Sequence, residues 1–270
     1  MSETAARTAL IGAGVMGETI LAGLIRAGRA PADLLVGEKR AERAEELTER
    51  YGVEVVANLS AAERSDVVAL VIKPQDMVDV LDEIAPALRS GQLLISLAAG
   101  ITTELIEARI PEGVAVVRVM PNTPALVDQG MAAISAGTHC TDAQLAEAEA
   151  LMASVGRVVR VPEKQQDAVT AISGSGPAYV FLVAEAMIEA GVHLGLPRAT
   201  AHELAVQTLL GSATMLAETG EHPTVLRERV TSPAGTTAAA LRQLEDHGVR
   251  AAFLAALEAA RDRSEELAGG

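Results

Sequence analysis

The segment Gly12-Ala13-Gly14-Val15-Met16-Gly17 follows an apolar run at 8–11 and opens a helix-type stretch at 18–27. Three glycines at that spacing, between a strand and a helix, leave few folds open. The first permits a tight turn, the second lets a ligand approach the backbone, and the third lets helix and strand pack closely. The freed N–H groups and the helix dipole then present a positive end to an anion. In this context the loop predicts a seat for the pyrophosphate of a dinucleotide, with a plain glycine turn as the alternative.

The chain beyond the loop fits that expectation. Short β-type runs at 34–36, 53–55, 67–72, 93–97, 114–119, 131–135 and 158–161 alternate with amphipathic stretches. Several are apolar at nearly every position, as strands covered on both faces are. The pattern predicts an α/β fold: an N-terminal Rossmann-type doubly wound parallel sheet over residues 1–162, then an all-α domain over 163–270. Helical stretches are expected at 177–195, at 199–219, after Thr236 up to Gly248, and at 250–267. Alanine-rich helices approach closely, which suits a domain that buries surface against another subunit.

Composition narrows the function classes. The net charge of −14, with two tyrosines, two phenylalanines and no tryptophan, lacks the basic footprint and stacking platforms of a nucleic-acid binder. Cys140 is the single cysteine, and His139, His193, His202, His222 and His247 show no ligand spacing, so no metal site is expected. Residues 1–7 lack the build of a signal peptide, and no run approaches the 18 or so apolar residues of a membrane span. A soluble cytoplasmic protein with no membrane partner is the expectation.

Several further segments are candidates for chemistry. Glu38 stands near the end of the second strand, where an acidic residue accepts the ribose 2′-hydroxyl of NAD, yet Lys39 and Arg40 come directly after it and suit a 2′-phosphate. An exposed, charged helix start explains the same triplet. Val71-Ile72-Lys73-Pro74 ends a central strand, where open α/β sheets bind ligands and where Lys73 can reach the crevice. Leu97-Ala98-Ala99-Gly100 and Met120-Pro121-Asn122-Thr123-Pro124 end neighbouring strands, with small residues and stiffening prolines. Thr231-Ser232-Pro233-Ala234-Gly235-Thr236-Thr237 gathers hydroxyls and free amides at a helix start, which suits a carboxylate but also ordinary capping. Ser173-Gly174-Ser175-Gly176-Pro177 poses the same choice and lacks the flanking glycines of a hydrolase nucleophile elbow.

Taken in order, the glycine loop and the motifs at 71–74, 120–124, 173–177 and 231–237 resemble the pyrroline-5-carboxylate reductase family over essentially the whole length. The resemblance implies NAD(P)H-dependent reduction of 1-pyrroline-5-carboxylate to L-proline, and a helical domain that interlocks with a second copy into dimers, with a decamer as the larger assembly. It places Gly12, Ala13, Gly14, Val15, Met16, Gly17, Asn58, Val71, Ile72, Lys73, Pro74, Leu97, Ala98 and Ala99 along the cofactor, and Glu38, Lys39 and Arg40, read from their place after the second strand, join them as candidate cofactor contacts. Ser232, Ala234, Gly235, Thr236 and Thr237 would hold the substrate, and Thr237 and Lys73 are the candidate catalytic residues. NADPH is the expected cofactor, with NADH as the alternative. Ala234 stands where the family usually has glycine.

Two other readings compete. A β-hydroxyacid dehydrogenase needs a lysine in its second domain, and Lys164, at the domain junction, is the only one after Lys73. A nucleotide-sensing protein without catalysis would keep the glycine loop but has no use for the Thr231–Thr237 segment.

Overall fold

The computed structural model describes residues 6–268 and contains two compact units. The first reaches Ser175 and takes back the chain from Ala260; the second is Gly176–Ala259.

In the first unit eight strands form one sheet: β1 (Thr8–Ile11), β2 (Leu34–Gly37), β3 (Glu54–Val56), β4 (Val67–Leu70), β5 (Leu93–Ser96), β6 (Ala115–Met120), β7 (Gly130–Ala136) and β8 (Gly156–Arg160). Their order is β3-β2-β1-β4-β5-β6-β7-β8. The helices are α1 (Val15–Arg26), α2 (Ala41–Tyr51), α3 (Asn58–Glu63), α4 (Met77–Ile84), α5 (Thr103–Glu107), α6 (Asp142–Ala153) and the single turn α7 (Gln166–Val169). Successive strand residues face opposite layers. Leu10, Val36, Ala69, Ile95, Val117 and Ile134 pack on the face that receives Ile20, Leu21 and Leu24 of α1. Ile11, Val68, Leu70, Leu94 and Val116 pack on the other, with Met77, Leu81 and Ile84 of α4.

One pairing departs from the expected parallel sheet: β7 runs antiparallel to β6, Val119 opposite Ile134. The connecting residues between Met120 and Gly130 hold only the tight turn Thr123–Val127, and a parallel return needs a crossover of about a dozen residues or more. The chain therefore doubles back, and parallel pairing resumes between β7 and β8. A smaller difference lies at β4, which stops at Leu70, so that Val71 and Ile72 have already left the strand before Lys73 and Pro74. Proline removes a ladder donor, and the strand ends ahead of it.

The second unit holds α8 (Gly176–His193), α9 (Arg198–Thr219), α10 (Pro223–Arg229), α11 (Thr236–Asp246) and the first half of α12 (Val249–Ala268). Of these, α10 lies outside the expected helical stretches, although Pro223 at its first turn and the His222 ring accepting from Thr224 N are ordinary start signals. Gly191 lets α8 and α9 meet, since a Cβ there would lie 2.9 Å from that of Ala201. Ala201 and Ala205 are the only buried apolar residues of this unit among those described. Phe181, Leu182 and Leu210 stand 59–67% exposed. The expectation of no span-length apolar run is corrected as well: the helical run Glu163–His193 is long and apolar enough to cross a membrane by length and composition.

Candidate active site

The glycine loop joins β1 to α1 with each glycine in a different situation. Gly12 has φ +98°, and a Cβ there would sit 2.4 Å from Val71 O, so only glycine lets β1 turn beside the end of β4. Gly17 lies on α1, where a Cβ would fall 2.1 Å from Gly12 O. Around Gly14, by contrast, there is nothing within 4 Å of an added Cβ, and it starts α1 with no side chain capping the helix. The position is thus open, and the helix start beside it carries no side-chain cap, which leaves room for an anion at the first amides of α1. The loop is braced from below by Arg43, whose Nε donates to Ala13 O at 3.3 Å.

That brace belongs to a network that sequence spacing does not reveal. Glu18 accepts from Arg43, from Arg50 Nη1 at 2.8 Å and from Tyr51 Oη at 2.8 Å. Burial pushes the Glu18 carboxyl up, but bonds from Arg43, Tyr51 and Arg50 outweigh it and leave it below the usual carboxylate range. An acid in the first turn of α1 is in this way neutralised by α2, which keeps negative charge away from the amides.

Beside the loop lies a cavity of about 380 Å³ lined by Gly12, Gly37, Glu38, Lys39, Asn58 and Ile72, among others. Asn58 is buried at the start of α3, with its Oδ1 so near Gly37 that a Cβ there would lie 2.6 Å from it. Its Nδ2 donates to Glu83 Oε2 at 3.1 Å. Lys73 is exposed, beyond the end of β4, and no partner holds it among the described residues. Leu97 and Ala98 turn their side chains into the core and Ala99 stands exposed, so this segment offers mainly backbone to a ligand.

The motif at the end of β6 has a partner far along the chain. Asn122 Nδ2 donates to Ser173 O at 3.0 Å, while its Oδ1 accepts from Met131 N at 2.8 Å. The Met120 methyl presses on Gly174, where a Cβ would be 2.5 Å away. Residues Thr170–Gly174 form a π-turn, closed by Ser175 N donating to Thr170 O at 2.8 Å. Two motifs separate in sequence are therefore one structural corner, a role for Asn122 that no local spacing signals.

The remaining motif lies in the second unit. Ser232 to Gly235 form a turn in which Gly235 N donates to Ser232 O at 3.0 Å, with Pro233 second and Ala234 third at φ +57°. A positive φ at the third position calls for glycine. Gly235 then starts α11 with no side-chain cap, and Thr236 and Thr237 occupy its first turn. Hydroxyls and unpaired amides of a helix start are thereby gathered within a few residues, as a carboxylate receptor requires.

Comparison with known proteins decides what this combination is. The chain is 49% identical to the pyrroline-5-carboxylate reductase of Corynebacterium melassecola over 263 residues, covering 96% of this chain and 97% of that protein. The chain belongs to the pyrroline-5-carboxylate reductase family. Its residues 163–267 match the family described as pyrroline-5-carboxylate reductase dimerisation, and residues 7–100 match the NADP oxidoreductase, coenzyme F420-dependent family. Among solved structures, the pyrroline-5-carboxylate reductase of Coxiella burnetii superposes with a TM-score of 0.94 at 39% identity, covering 98% of this chain and 99% of that one. The Plasmodium falciparum pyrroline carboxylate reductase, solved with NADP bound, gives 0.84 at 29% identity over 98% of both chains. As a pyrroline-5-carboxylate reductase the chain is an oxidoreductase, and neither alternative reading of the sequence is needed.

Proposed function

We propose that this protein reduces 1-pyrroline-5-carboxylate to L-proline with NAD(P)H, residues 1–162 serving the dinucleotide and 163–270 the substrate and dimerisation. Family membership carries the activity. The assignment of residues rests on the cradle at Gly12, Gly14 and Gly17 and on the uncapped start of α11.

The residues present fit a dinucleotide, because the opening beside Gly14 would be lost to any side chain. Gly12 to Gly17 would hold the pyrophosphate through backbone amides, with Glu38, Lys39, Arg40 and Asn58 at the adenosine end and Val71–Pro74 and Leu97–Ala99 along the remainder. Bound reduced nicotinamide supplies a hydride. The protein's own task is positioning and charge stabilisation. Ser232, Ala234, Gly235 and Thr236 offer hydroxyl and amide donors to the substrate carboxylate, and the Thr237 hydroxyl bonds the ring nitrogen. A protonated imine is already electrophilic, so no protein nucleophile is called for. Lys73, exposed beyond β4, adds positive charge near the dinucleotide.

A second copy of the chain covers the apolar faces of α8 and α9. Association as a dimer, with a decamer as the larger assembly, and a cytoplasmic setting complete the reading. The decisive assay follows the absorbance of NADH and of NADPH with the five-membered imine acid. Imine-dependent oxidation is expected and none with small hydroxy acids; dinucleotide binding without imine-dependent oxidation would favour a sensor.

A further inference from the structure

The Ser173 carbonyl stands four residues before Pro177, which has no N–H to give and whose ring crowds a carbonyl at that position in a helix. The chain opens there into the π-turn Thr170–Gly174. Backbone carbonyls inside a protein are seldom left unmet, and here the donor comes from far along the chain, as Asn122 Nδ2 at 3.0 Å. The same side chain has a second bond. Its Oδ1 accepts from Met131 N at 2.8 Å, and Met131 lies one residue into β7, ahead of the part of β7 that pairs with β6. One amide thus ties the end of β6, the start of β7 and the π-turn, donating on one side and accepting on the other, which a carboxylate cannot do. Pro121 and Pro124 stiffen the chain on either side of it.

The strands β4, β5 and β6 are parallel neighbours, so the residues that follow them lie side by side along one edge of the sheet. Val71–Pro74 follow the first and Leu97–Ala99 the second. The order β2-β1-β4-β5-β6 sets the end of β6 farther from Glu38 than either, at the end of the crevice opposite the adenosine. Hydride transfer needs its two carbons held at about 3–3.5 Å, and a displacement of about 1 Å costs much of the rate. A wall that shifts at this end would therefore be felt in the chemical step more than in the binding of the whole dinucleotide.

We propose that Asn122 is a positioning residue for hydride transfer. By catching Ser173 O it fixes the turn at Ser173–Ser175 against the end of β6, and with it the surface that borders the nicotinamide. Its side chain is committed on both sides and acts through that surface. Met120 closes the same corner, its methyl lying where a Cβ on Gly174 would come within 2.5 Å. This rests on the cofactor reading above and adds to it what holds that end of the crevice in place.

The test compares full-length wild type with Asn122→Asp and with Asn122→Asp combined with Pro177→Ala, at about pH 8, where the new carboxyl is ionised. Asn122→Asp keeps an acceptor for Met131 N and loses the donor to Ser173 O. Pro177→Ala returns a backbone N–H to Ser173 O from its own helix, so the double variant meets the local bonds while the tie to β6 stays broken. Turnover, the dissociation constant of the reduced dinucleotide and the melting temperature are read for each. Asn122→Asp should lower kcat about tenfold and leave the dinucleotide constant within about threefold of wild type. The double variant should melt close to wild type and keep the low kcat. Turnover restored together with stability would reduce Asn122 to a substitute donor and overturn the proposal. A kcat within about threefold of wild type in Asn122→Asp, or an equal loss of dinucleotide affinity, would overturn it too. Should Asn122→Asp not fold, which circular dichroism reads, the double variant decides by its turnover. Wild-type protein that shows no imine-dependent oxidation would instead overturn the proposed activity, a result easily told apart.

Discussion

The two units are built from equally apolar sequence and end up in different states. In the first, strands such as Val67–Leu70 are buried at every position between two helical layers, and the core is closed within one chain. In the second, Val180, Phe181 and Leu182 are all at least 53% exposed, although successive helix residues are about 100° apart and together take up more than half the circumference. A helix apolar on that many sides is a buried helix, and here one chain supplies no cover. Hydrophobicity fixes how much surface must be hidden, and topology decides whether the chain hides it alone.

This contrast can be broken most severely at the exposed apolar faces. Leu182→Glu with Leu210→Glu should abolish self-association, read by sedimentation at micromolar protein, while strand signals in circular dichroism persist. A double variant that still sediments as wild type would remove α8 and α9 from the interface. Next in size, Gly14→Trp should weaken dinucleotide binding by about a hundredfold or more without loss of thermal stability, since the space around Gly14 is open. Normal NADPH titration in that variant would displace the pyrophosphate from this loop.

Truncation within the closed core sharpens the comparison from the other side. Leu70→Ala should cost about 2–5 kcal/mol in urea unfolding, because Leu70 is fully buried on β4. Thr237→Ala, at the start of α11, should lower turnover about 10- to 100-fold and leave dinucleotide affinity nearly unchanged. Unchanged steady-state kinetics would end its role at the ring nitrogen. The smallest effect is expected at Ala234→Gly. A left-handed alanine costs about 1 kcal/mol, so glycine should stabilise by that much or less, the entropy of its unfolded chain offsetting part of the gain. A lower melting temperature would mean that the methyl group of Ala234 has a packing role.

Much of the first unit is legible from residues alone. The run at 8–11, the glycine loop and the Val-rich strands carry their periods openly, and the helix starts at Pro223 and Thr236 carry local signals, the first of them too short a stretch to stand out from its surroundings. Less legible is whatever joins distant positions. Nothing near Asn122 announces that it holds Ser173 O, and nothing near Glu18 announces Arg43 and Tyr51. The reversal of β7 lies between these extremes, since its cause, too short a connection, is visible in the sequence but its consequence is not.

Local backbone chemistry and apolar periodicity were set by the amino-acid order itself: where the chain turns, which stretches are strand or helix, and that a glycine loop follows β1. These depend on neighbours a few residues apart, whose interactions are nearly the same in any fold. Tertiary packing alone decided that Asn122 holds Ser173 O, that Arg43 and Tyr51 close on Glu18, and that α8 remains uncovered within one chain. Those outcomes are settled by distances between side chains and by competition for partners, which a linear order of residues does not contain.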